Sequence, residues 1–205
     1  MRTALSLVFS LLFFLSVSLL TPLFAASIVP GRSIGRIHLG TSRDAVFKAI
    51  GKPAQTTIRK SGYRVDEWFS KTLHRSNKIV GTRRKNFLRV TYKRNRVVQV
   101  EVTSPHFSTR NGVSTRYEKI YPVFEKLYKP YKSVILDMGG LVHYYDDRRN
   151  GIAFSVYTPS GPTSFLNSVI IHRLNTSVIY PNDEKPHGHP TSDYSRVDVR
   201  NFDDG

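Results

Sequence analysis

A strongly basic stretch in the first half of the chain is the feature of this sequence with the clearest chemical consequence. Between Trp68 and Val100 there are ten lysines and arginines and no aspartate or glutamate. Guanidinium and ammonium groups bind phosphate, sulfate and carboxylate groups, so such a stretch favours an anionic partner. Seven of these bases form the candidate binding set: Arg83, Arg84, Lys85, Arg89, Lys93, Arg94 and Arg96.

The position of these bases relative to the predicted strands gives two interpretations. If the strands on either side pair as a hairpin, the loop with Arg84 and Lys85 and the turn around Asn95 are predicted to approach one another. Five bases beside an anionic bilayer would contribute about 5 kcal/mol of attraction before screening. The alternative is that the bases guard strand edges and keep the protein soluble.

Patterns that would indicate catalysis or metal binding are weak. The seven histidines form neither H-x-x-x-H nor H-E-x-x-H, and there is no cysteine to ligate a metal. Two solvated histidines are a simpler interpretation of His187 and His189 than a copper or nickel site. No serine lies in G-x-S-x-G, and no glycine loop matches a phosphate-binding motif. We therefore expect no metal site and no cofactor.

A pair of adjacent carboxylates, Asp146 and Asp147, is the remaining candidate for acid–base chemistry. The sequence Arg-Arg-Asn-Gly that follows them, between two predicted strands, is typical of a hairpin turn. We therefore expect no catalytic residue and predict that the chain is not an enzyme.

An internal repeat predicts the elements that must position the bases. The segment AVFKAIGKP at 45–53 returns as PVFEKLYKP at 122–130, which makes Val46 and Phe47 equivalent to Val123 and Phe124. Alternating apolar runs with short polar turns follow both copies and predict antiparallel meanders. The predicted fold class is α+β: two repeats of a helix followed by an antiparallel four-stranded meander, with the helices packed on one face of the sheet.

The start and end of the first helix are marked in the sequence. Thr41 precedes Asp44 by three residues, which is typical of a capping box. Val46, Ala49 and Ile50 form its apolar side, and Gly51 followed by Lys52-Pro53 predicts its end.

The composition divides the chain into four parts. Residues 1–27 have one charged side chain, a long apolar run and small residues at the end, which predicts a signal peptide; an uncleaved membrane anchor is the alternative. Residues 28–104 form the first repeat, with 18 bases and four acids, and residues 105–180 form the second, with nine bases and five acids. Residues 181–205 are polar and acidic and predict a disordered tail.

The start of the first repeat resembles a known group of exported bacterial domains. The string I37-x-L39-G40-x-S42, with Val46, Gly51 and Pro53 at their spacing, resembles the β-lactamase inhibitory protein and the outer-membrane assembly lipoproteins of the SmpA/OmlA type. The chain lacks the lipoproteins' N-terminal cysteine and the inhibitor's disulfides. The resemblance implies a compartment, a tandem fold and a non-enzymatic binding module.

Three functions stay open on the sequence alone. The first is a periplasmic or secreted interaction module that binds an envelope protein or an anionic surface, lipid or polysaccharide, through the first repeat. The second is an inhibitor of a secreted enzyme, and the third is a hydrolase. An exported protein is not expected to meet nucleic acid, and a cleaved signal would leave no integral membrane segment.

Overall fold

The protein consists mainly of β-strands with one short helix in the part of the chain that the structure describes. The computed structural model describes residues 27–73, 85–115, 132–136, 142–157 and 165–180. The elements in chain order are β1 (Ser27–Val29), β2 (Ser33–Ile34), β3 (Ile37–His38), α1 (Arg43–Ile50), β4 (Gln55–Ile58), β5 (Arg64–Leu73), β6 (Lys85–Lys93), β7 (Arg96–Val102), β8 (Ser108–Thr109), β9 (Lys132–Leu136), β10 (Val142–Asp147), β11 (Ile152–Tyr157) and β12 (Phe165–His172).

Eight of the strands form one antiparallel sheet. Its strand order is β4-β5-β6-β7-β12-β11-β10-β9. The two halves of the sheet meet where β7 pairs with β12, with Val100 opposite Ile171 and Val102 opposite Val169. Runs with alternating β-branched and aromatic residues form these strands, since such side chains pack well on a pleated surface.

One face of this sheet carries the main apolar core. Val90, Val100, Phe154 and Ile171 are buried there and are each 0% exposed. Helix α1 contributes Val46, which is 1% exposed. Burial of side chains of this size stabilises the fold by about 1.5–3 kcal/mol each, so this layer holds the sheet and the helix together.

The remaining four strands form a second, small sheet in the order β3-β2-β1-β8. Ile28, Ile34 and Ile37 belong to its strands and are each 1% exposed within the main core. Ser27 is hydrogen-bonded through its carbonyl to Gly35 and pairs with Ser108. Ser27, placed at the end of the predicted signal peptide, is therefore part of a strand, and residues 1–26 lie outside the described part.

Helix α1 begins one residue later than its sequence pattern predicts. The N-cap is Ser42, whose Oγ accepts a hydrogen bond of 3.3 Å from the Ala45 amide, whereas Thr41 was expected in that position. Gly51 ends the helix with φ 85°, a conformation that favours glycine. Asp44 lies in the first turn, where a carboxylate interacts favourably with the helix dipole.

The predicted α+β class with two helix-and-meander repeats is wrong. Strands dominate, and Arg43–Ile50 is the one helix of the described residues. Residues 27–38, for which the sequence pattern predicts no sheet, contribute three strands to a separate sheet. The pairing of β7 with β12 also joins the two predicted units into one continuous sheet, and the tandem repeat finds no support. The predicted second helix, with Val123 and Phe124, lies outside the described residues.

Gly151 joins the small sheet to the large one, and we expect its replacement by alanine to destabilise the fold. It has φ +63°, and an added Cβ would lie 2.5 Å from the His172 carbonyl oxygen and 2.8 Å from the Gly31 Cα. Left-handed strain and overpacking together predict a loss of about 2–5 kcal/mol in unfolding free energy. Chemical denaturation of Gly151→Ala measures this loss.

The matched control for this prediction is Gly62→Ala. Gly62 also has positive φ, +78°, but nothing lies within 4 Å of an added Cβ. We expect only the conformational cost of about 1–2 kcal/mol there. Equal losses for the two variants would show that the contact between Gly151, Gly31 and His172 is not tight.

Candidate functional site

The antiparallel register places a row of turns at one end of the large sheet. Ile58 pairs with Arg64, Lys93 with Arg96, and Asp147 with Ile152, so the β4–β5, β6–β7 and β10–β11 turns all lie at this end. Strand β12 ends there as well. We call this the basic end, because nine bases lie on or beside these three turns and the end of β12: Arg59, Lys60, Arg64, Lys93, Arg94, Arg96, Arg148, Arg149 and Arg173.

The β6–β7 turn is the tip of the basic end and has a defined geometry. Arg94 and Asn95 have φ of 49° and 61°, the left-handed pair that a two-residue hairpin turn requires. Asn95 accepts a hydrogen bond of 3.2 Å from the Arg43 amide, so the first residue of α1 fixes the turn. Lys93, Arg94 and Arg96 are exposed on this fixed tip.

Two local contacts orient the side chains beside the tip. Arg96 Nη1 donates a hydrogen bond of 3.3 Å to the Gly40 carbonyl oxygen. Lys93 Nζ lies 5.5 Å from the centre of the Tyr63 ring. Both interactions are exposed, so each cation remains open to solvent and to a second partner.

Almost no exposed acid offsets these bases. The described residues include 19 lysines and arginines but only six acids, of which Asp66, Glu101, Asp146 and Asp147 are buried. Glu67 is ion-paired with Arg89, and Asp44 is the one exposed acid of the described residues. The positive charges of the basic end are therefore not neutralised by exposed carboxylates, and the resulting positive potential attracts anions.

Arg43 lies at the basic end but is already bound to an internal carboxylate. Its Nε is 2.7 Å from Asp66 Oδ2 and its Nη2 is 3.0 Å from Oδ1. Thr56 Oγ1 donates a further bond of 2.6 Å to Asp66 Oδ1. The hydrogen bond to Asp66 raises the pKa of Arg43, so this guanidinium ties α1 to β5 and remains charged.

Arg89, one of the predicted binding residues, is also internally paired. It lies on β6 directly between Glu67 on β5 and Glu101 on β7. The guanidinium lies 2.6 Å from Glu67 Oε1 and 2.8 Å from Glu101 Oε2. Burial opposes its charge, but Glu101 and Glu67 outweigh that effect, so its pKa is raised. The guanidinium N–H groups of Arg89 are bonded to glutamates within the sheet, so Arg89 is not part of the proposed anion contact.

A chain of hydroxyl groups extends this pairing across the sheet. Ser168 Oγ donates a hydrogen bond of 2.7 Å to Glu101 Oε1. Ser155 Oγ lies 2.5 Å from Ser168 Oγ and accepts a bond of 3.0 Å from Asn167 Nδ2. These polar side chains satisfy one another, so the network that runs from Glu67 to Ser155 links five neighbouring strands, β5-β6-β7-β12-β11.

The predicted approach of Lys85 to Lys93 does not occur. These residues are the first and last of strand β6, and nine residues of extended chain separate their ends by about 26 Å. Lys85 therefore lies at the opposite end of the sheet from the basic end. Arg83 and Arg84, which precede Lys85, lie outside the described residues.

Sequence reasoning missed the other bases of the basic end. Six of its bases lie outside the acid-free stretch from Trp68 to Val100 and are not part of the predicted set: Arg59, Lys60, Arg64, Arg148, Arg149 and Arg173. Their common signal is position: each lies in a turn, or next to one, at the same end of the sheet. That signal becomes useful only when the strand order is known.

The two candidate carboxylates point to opposite faces of β10 and do not form a pair. Asp147 accepts bonds from the backbone and side-chain nitrogens of Asn150, 3.2 and 2.7 Å long, and so stabilises the predicted turn. Asp146 Oδ2 accepts a bond of 3.1 Å from the Val178 amide. Both carboxylates have structural partners, which agrees with the hairpin interpretation.

Asp146 also lies against a buried histidine, an arrangement that could serve acid–base chemistry. His172 Nε2 is 2.9 Å from Asp146 Oδ1, and both side chains are at most 2% exposed. The hydroxyl nearest to the ring is Thr176 Oγ1, 3.3 Å from Nδ1, but it donates to the Arg173 carbonyl oxygen at 2.7 Å. Ser168 is four residues away along β12, or about 13 Å. No serine of the described residues therefore lies beside His172.

Metal-binding clusters and membrane-spanning helices are absent from the described ranges. No group of three or more His, Asp or Glu side chains in them is close enough to hold a metal ion. Within the same ranges no helix combines the length and apolar character needed to cross a bilayer.

Comparison with known proteins assigns no family. No family model matches the chain, and no curated protein is detectably similar. A cysteine-rich secretory protein of Staphylococcus aureus is 13% identical over 73% of this chain and 49% of its own, with a TM-score of 0.43. An extracellular SCP-domain protein of Bacillus anthracis is 13% identical over 66% of this chain and 44% of its own, with a TM-score of 0.39.

These structural similarities are limited in extent. The chain spans about half the length of the two structures it matches. Because TM-scores below 0.5 do not establish a common fold, neither protein's properties are transferred to this chain. The resemblance of residues 37–53 to the β-lactamase inhibitory protein and SmpA/OmlA domains stays a prediction.

Proposed function

We propose that this protein is a periplasmic or secreted, non-enzymatic binding module that contacts an anionic component of the cell envelope through its basic end. We expect that component to present a surface rich in phosphate or sulfate groups. The observation that supports this most strongly is the charge distribution: exposed bases gather on turns at one end of the sheet, while five of the six described acids are buried or ion-paired.

The shape of the basic end favours a surface over a small ligand. Its bases lie on turns from strands that are neighbours about 4.8 Å apart, so they form a row and not a closed pocket. Each base near an anionic bilayer contributes about 1 kcal/mol, and Lys93, Arg94 and Arg96 occupy one rigid tip. A fixed tip loses little conformational entropy on contact, which strengthens the interaction.

The alternative functions receive less support from the described residues. An inhibitory sheet face would need clustered exposed aromatic rings, but Phe69 is 45% exposed while its cross-strand neighbour Phe87 is half-buried beneath Arg89. The other exposed large apolar side chains, Val29, Ile58 and Leu174, lie on different elements. A hydrolase would need a nucleophile beside His172, and the Thr176 hydroxyl is bonded elsewhere.

The proposed contact should be strongly dependent on salt. We expect the full chain to sediment with vesicles of phosphatidylglycerol and phosphatidylcholine at about 50 mM salt and to lose at least about tenfold in affinity at about 200 mM. The physical reason is that counterions compete for the phosphates and the Debye length shortens. Pure phosphatidylcholine vesicles are the control and should bind little protein at either salt concentration.

A parallel measurement on immobilised heparin separates the two sources of anionic groups. Retention on both supports indicates recognition of anionic charge in general, whereas retention on one alone identifies lipid or polysaccharide. Salt-independent binding to phosphatidylcholine, or no binding to either anionic support at 50 mM salt, would overturn the proposed function.

A further inference from the structure

The chain after β12 is fastened across the sheet, and its last described residue is bonded to an arginine of the basic end. Val178 donates its amide to Asp146, and Ile179 forms two hydrogen bonds with Gln99: its amide to Oε1 at 2.7 Å and its carbonyl oxygen from Nε2 at 2.8 Å. The Tyr180 ring packs edge-on against Tyr144, with centres 5.4 Å apart. This segment therefore crosses from β10 over β7 towards the first half of the sheet.

The last described residue, Tyr180, contacts the β4–β5 turn. Arg59 Nη1 donates a hydrogen bond to the Tyr180 carbonyl oxygen. Arg59 is the first residue after β4 and lies in the β4–β5 turn, within the basic end. Arg64, on the other side of this turn, pairs with Tyr92, the residue before Lys93, so the Arg59 contact links the end of the described chain to the side of the sheet that carries the β6–β7 tip.

The sequence beyond Tyr180 has the opposite charge. Residues 181–205 lie outside the described part and contain six acids and three bases. The first two acids, Asp183 and Glu184, follow Tyr180 by three and four residues, a reach of at most about 14 Å in extended chain. The β4–β5 and β6–β7 turns are about two strand spacings, or about 10 Å, apart, a distance of the same order as this reach.

We propose that this acidic tail, residues 181–205, is an intramolecular occupant of the basic end and competes there with the anionic partner. Three features support this contact: complementary charge, the hydrogen bond that anchors Tyr180 to Arg59, and the short chain between Tyr180 and the first two acids. A tethered segment acts at a high effective concentration, so even weak contacts compete with an external ligand. Part of this inference, the competition, depends on the proposed function, while the contact itself does not.

A full-length variant with a neutral tail tests the competition. Its six acids are replaced by amides: Asp183→Asn, Glu184→Gln, Asp193→Asn, Asp198→Asn, Asp203→Asn and Asp204→Asn. We expect this variant to bind the phosphatidylglycerol vesicles about tenfold more tightly than the wild type at 50 mM salt. The gain should shrink at 200 mM salt, because the tail contact is then already screened.

A spin label tests the contact without any lipid. The chain has no cysteine, so Ser195→Cys provides a unique attachment site in the tail. We expect paramagnetic broadening of backbone amide signals from the β4–β5 and β6–β7 turns at 50 mM salt, and its loss at 500 mM salt or in the neutral-tail variant. Signals from the β2–β3 turn serve as the reference.

The two readouts distinguish the failure of this inference from that of the proposed function. Absence of salt-dependent broadening at the two turns would overturn the tail contact, whatever the vesicles do. Equal vesicle affinity of the wild type and the neutral-tail variant, with measurable binding in both, would overturn the competition. If neither protein binds anionic vesicles or heparin while the broadening is present, the contact stands and the proposed function fails.

Discussion

Replacement of Arg89 by methionine is expected to lower the free energy of unfolding by about 3–5 kcal/mol. The reason is that Glu67 and Glu101 face Arg89 from both sides, and Glu101 has only 4% of its side chain exposed. Without the guanidinium, two carboxylates remain close together with no cation between them. Thermal and chemical denaturation measure the effect, which corresponds to a melting temperature lower by about 10 °C.

A compensating change provides the control for this prediction. In the double variant Arg89→Met with Glu101→Gln one unpaired charge is removed, while the amide oxygen can still accept the hydrogen bond from Ser168. We expect it to recover at least about 1 kcal/mol relative to Arg89→Met. Unchanged stability of Arg89→Met, together with a large loss of vesicle binding, would show that Arg89 is a binding residue and that its pairing with the glutamates is dispensable.

The second large effect is expected on binding. We expect the triple variant Lys93→Glu, Arg94→Glu and Arg96→Glu to lose at least about a hundredfold in affinity for phosphatidylglycerol vesicles. Three lost attractions of about 1 kcal/mol each already predict this factor, and the new carboxylates add repulsion. Vesicle sedimentation at 50 mM salt measures it. Because the three side chains are exposed, the unfolding free energy should change by less than about 1 kcal/mol.

The positions of the strands could be predicted from the sequence because alternation is a local signal. Leu88, Val90 and Tyr92 alternate with polar residues and do lie on one face of β6. Arg94-Asn95 was predicted as the turn, and both residues have the positive φ of a two-residue hairpin. The helix over Val46 and Ile50 was also predicted correctly, apart from its N-cap.

Irregular pairing limited the prediction of which residues face the core. The alternation of Val98, Val100 and Val102 in the sequence predicts that they share one face of β7, but Val97 is fully buried and Val98 is half-buried. The register shifts between Thr91 and Tyr92, and a bulge of one residue exchanges the two faces beyond it. Such a bulge has no local sequence signature here. The small sheet was missed for a related reason, since strands of two or three residues are too short to show a period.

The candidate site was only partly predictable, because the order of charged residues in the sequence does not show which of them are neighbours on the folded surface. Glu67 and Glu101 border the acid-free stretch in the sequence and were therefore counted as lying outside it. Antiparallel pairing brings both of them onto Arg89, in the middle of that stretch. The same pairing separates Lys85 from Lys93 and brings bases of the second half to the basic end. These relations depend on contacts between distant residues, which composition does not encode.

The most direct test of the basic end as the binding surface compares two charge reversals of equal size. The first is the Lys93, Arg94 and Arg96 triple variant, and the second reverses Lys52, Lys71 and Lys85, which are exposed but lie away from the basic end. At 100 mM salt the Debye length is about 10 Å, whereas Lys71 and Lys85 are more than about 20 Å from the basic end along their strands. Vesicle affinity should fall at least about a hundredfold in the first variant and at most about fivefold in the second. Equal losses would show that net charge, and not the basic end, determines the interaction.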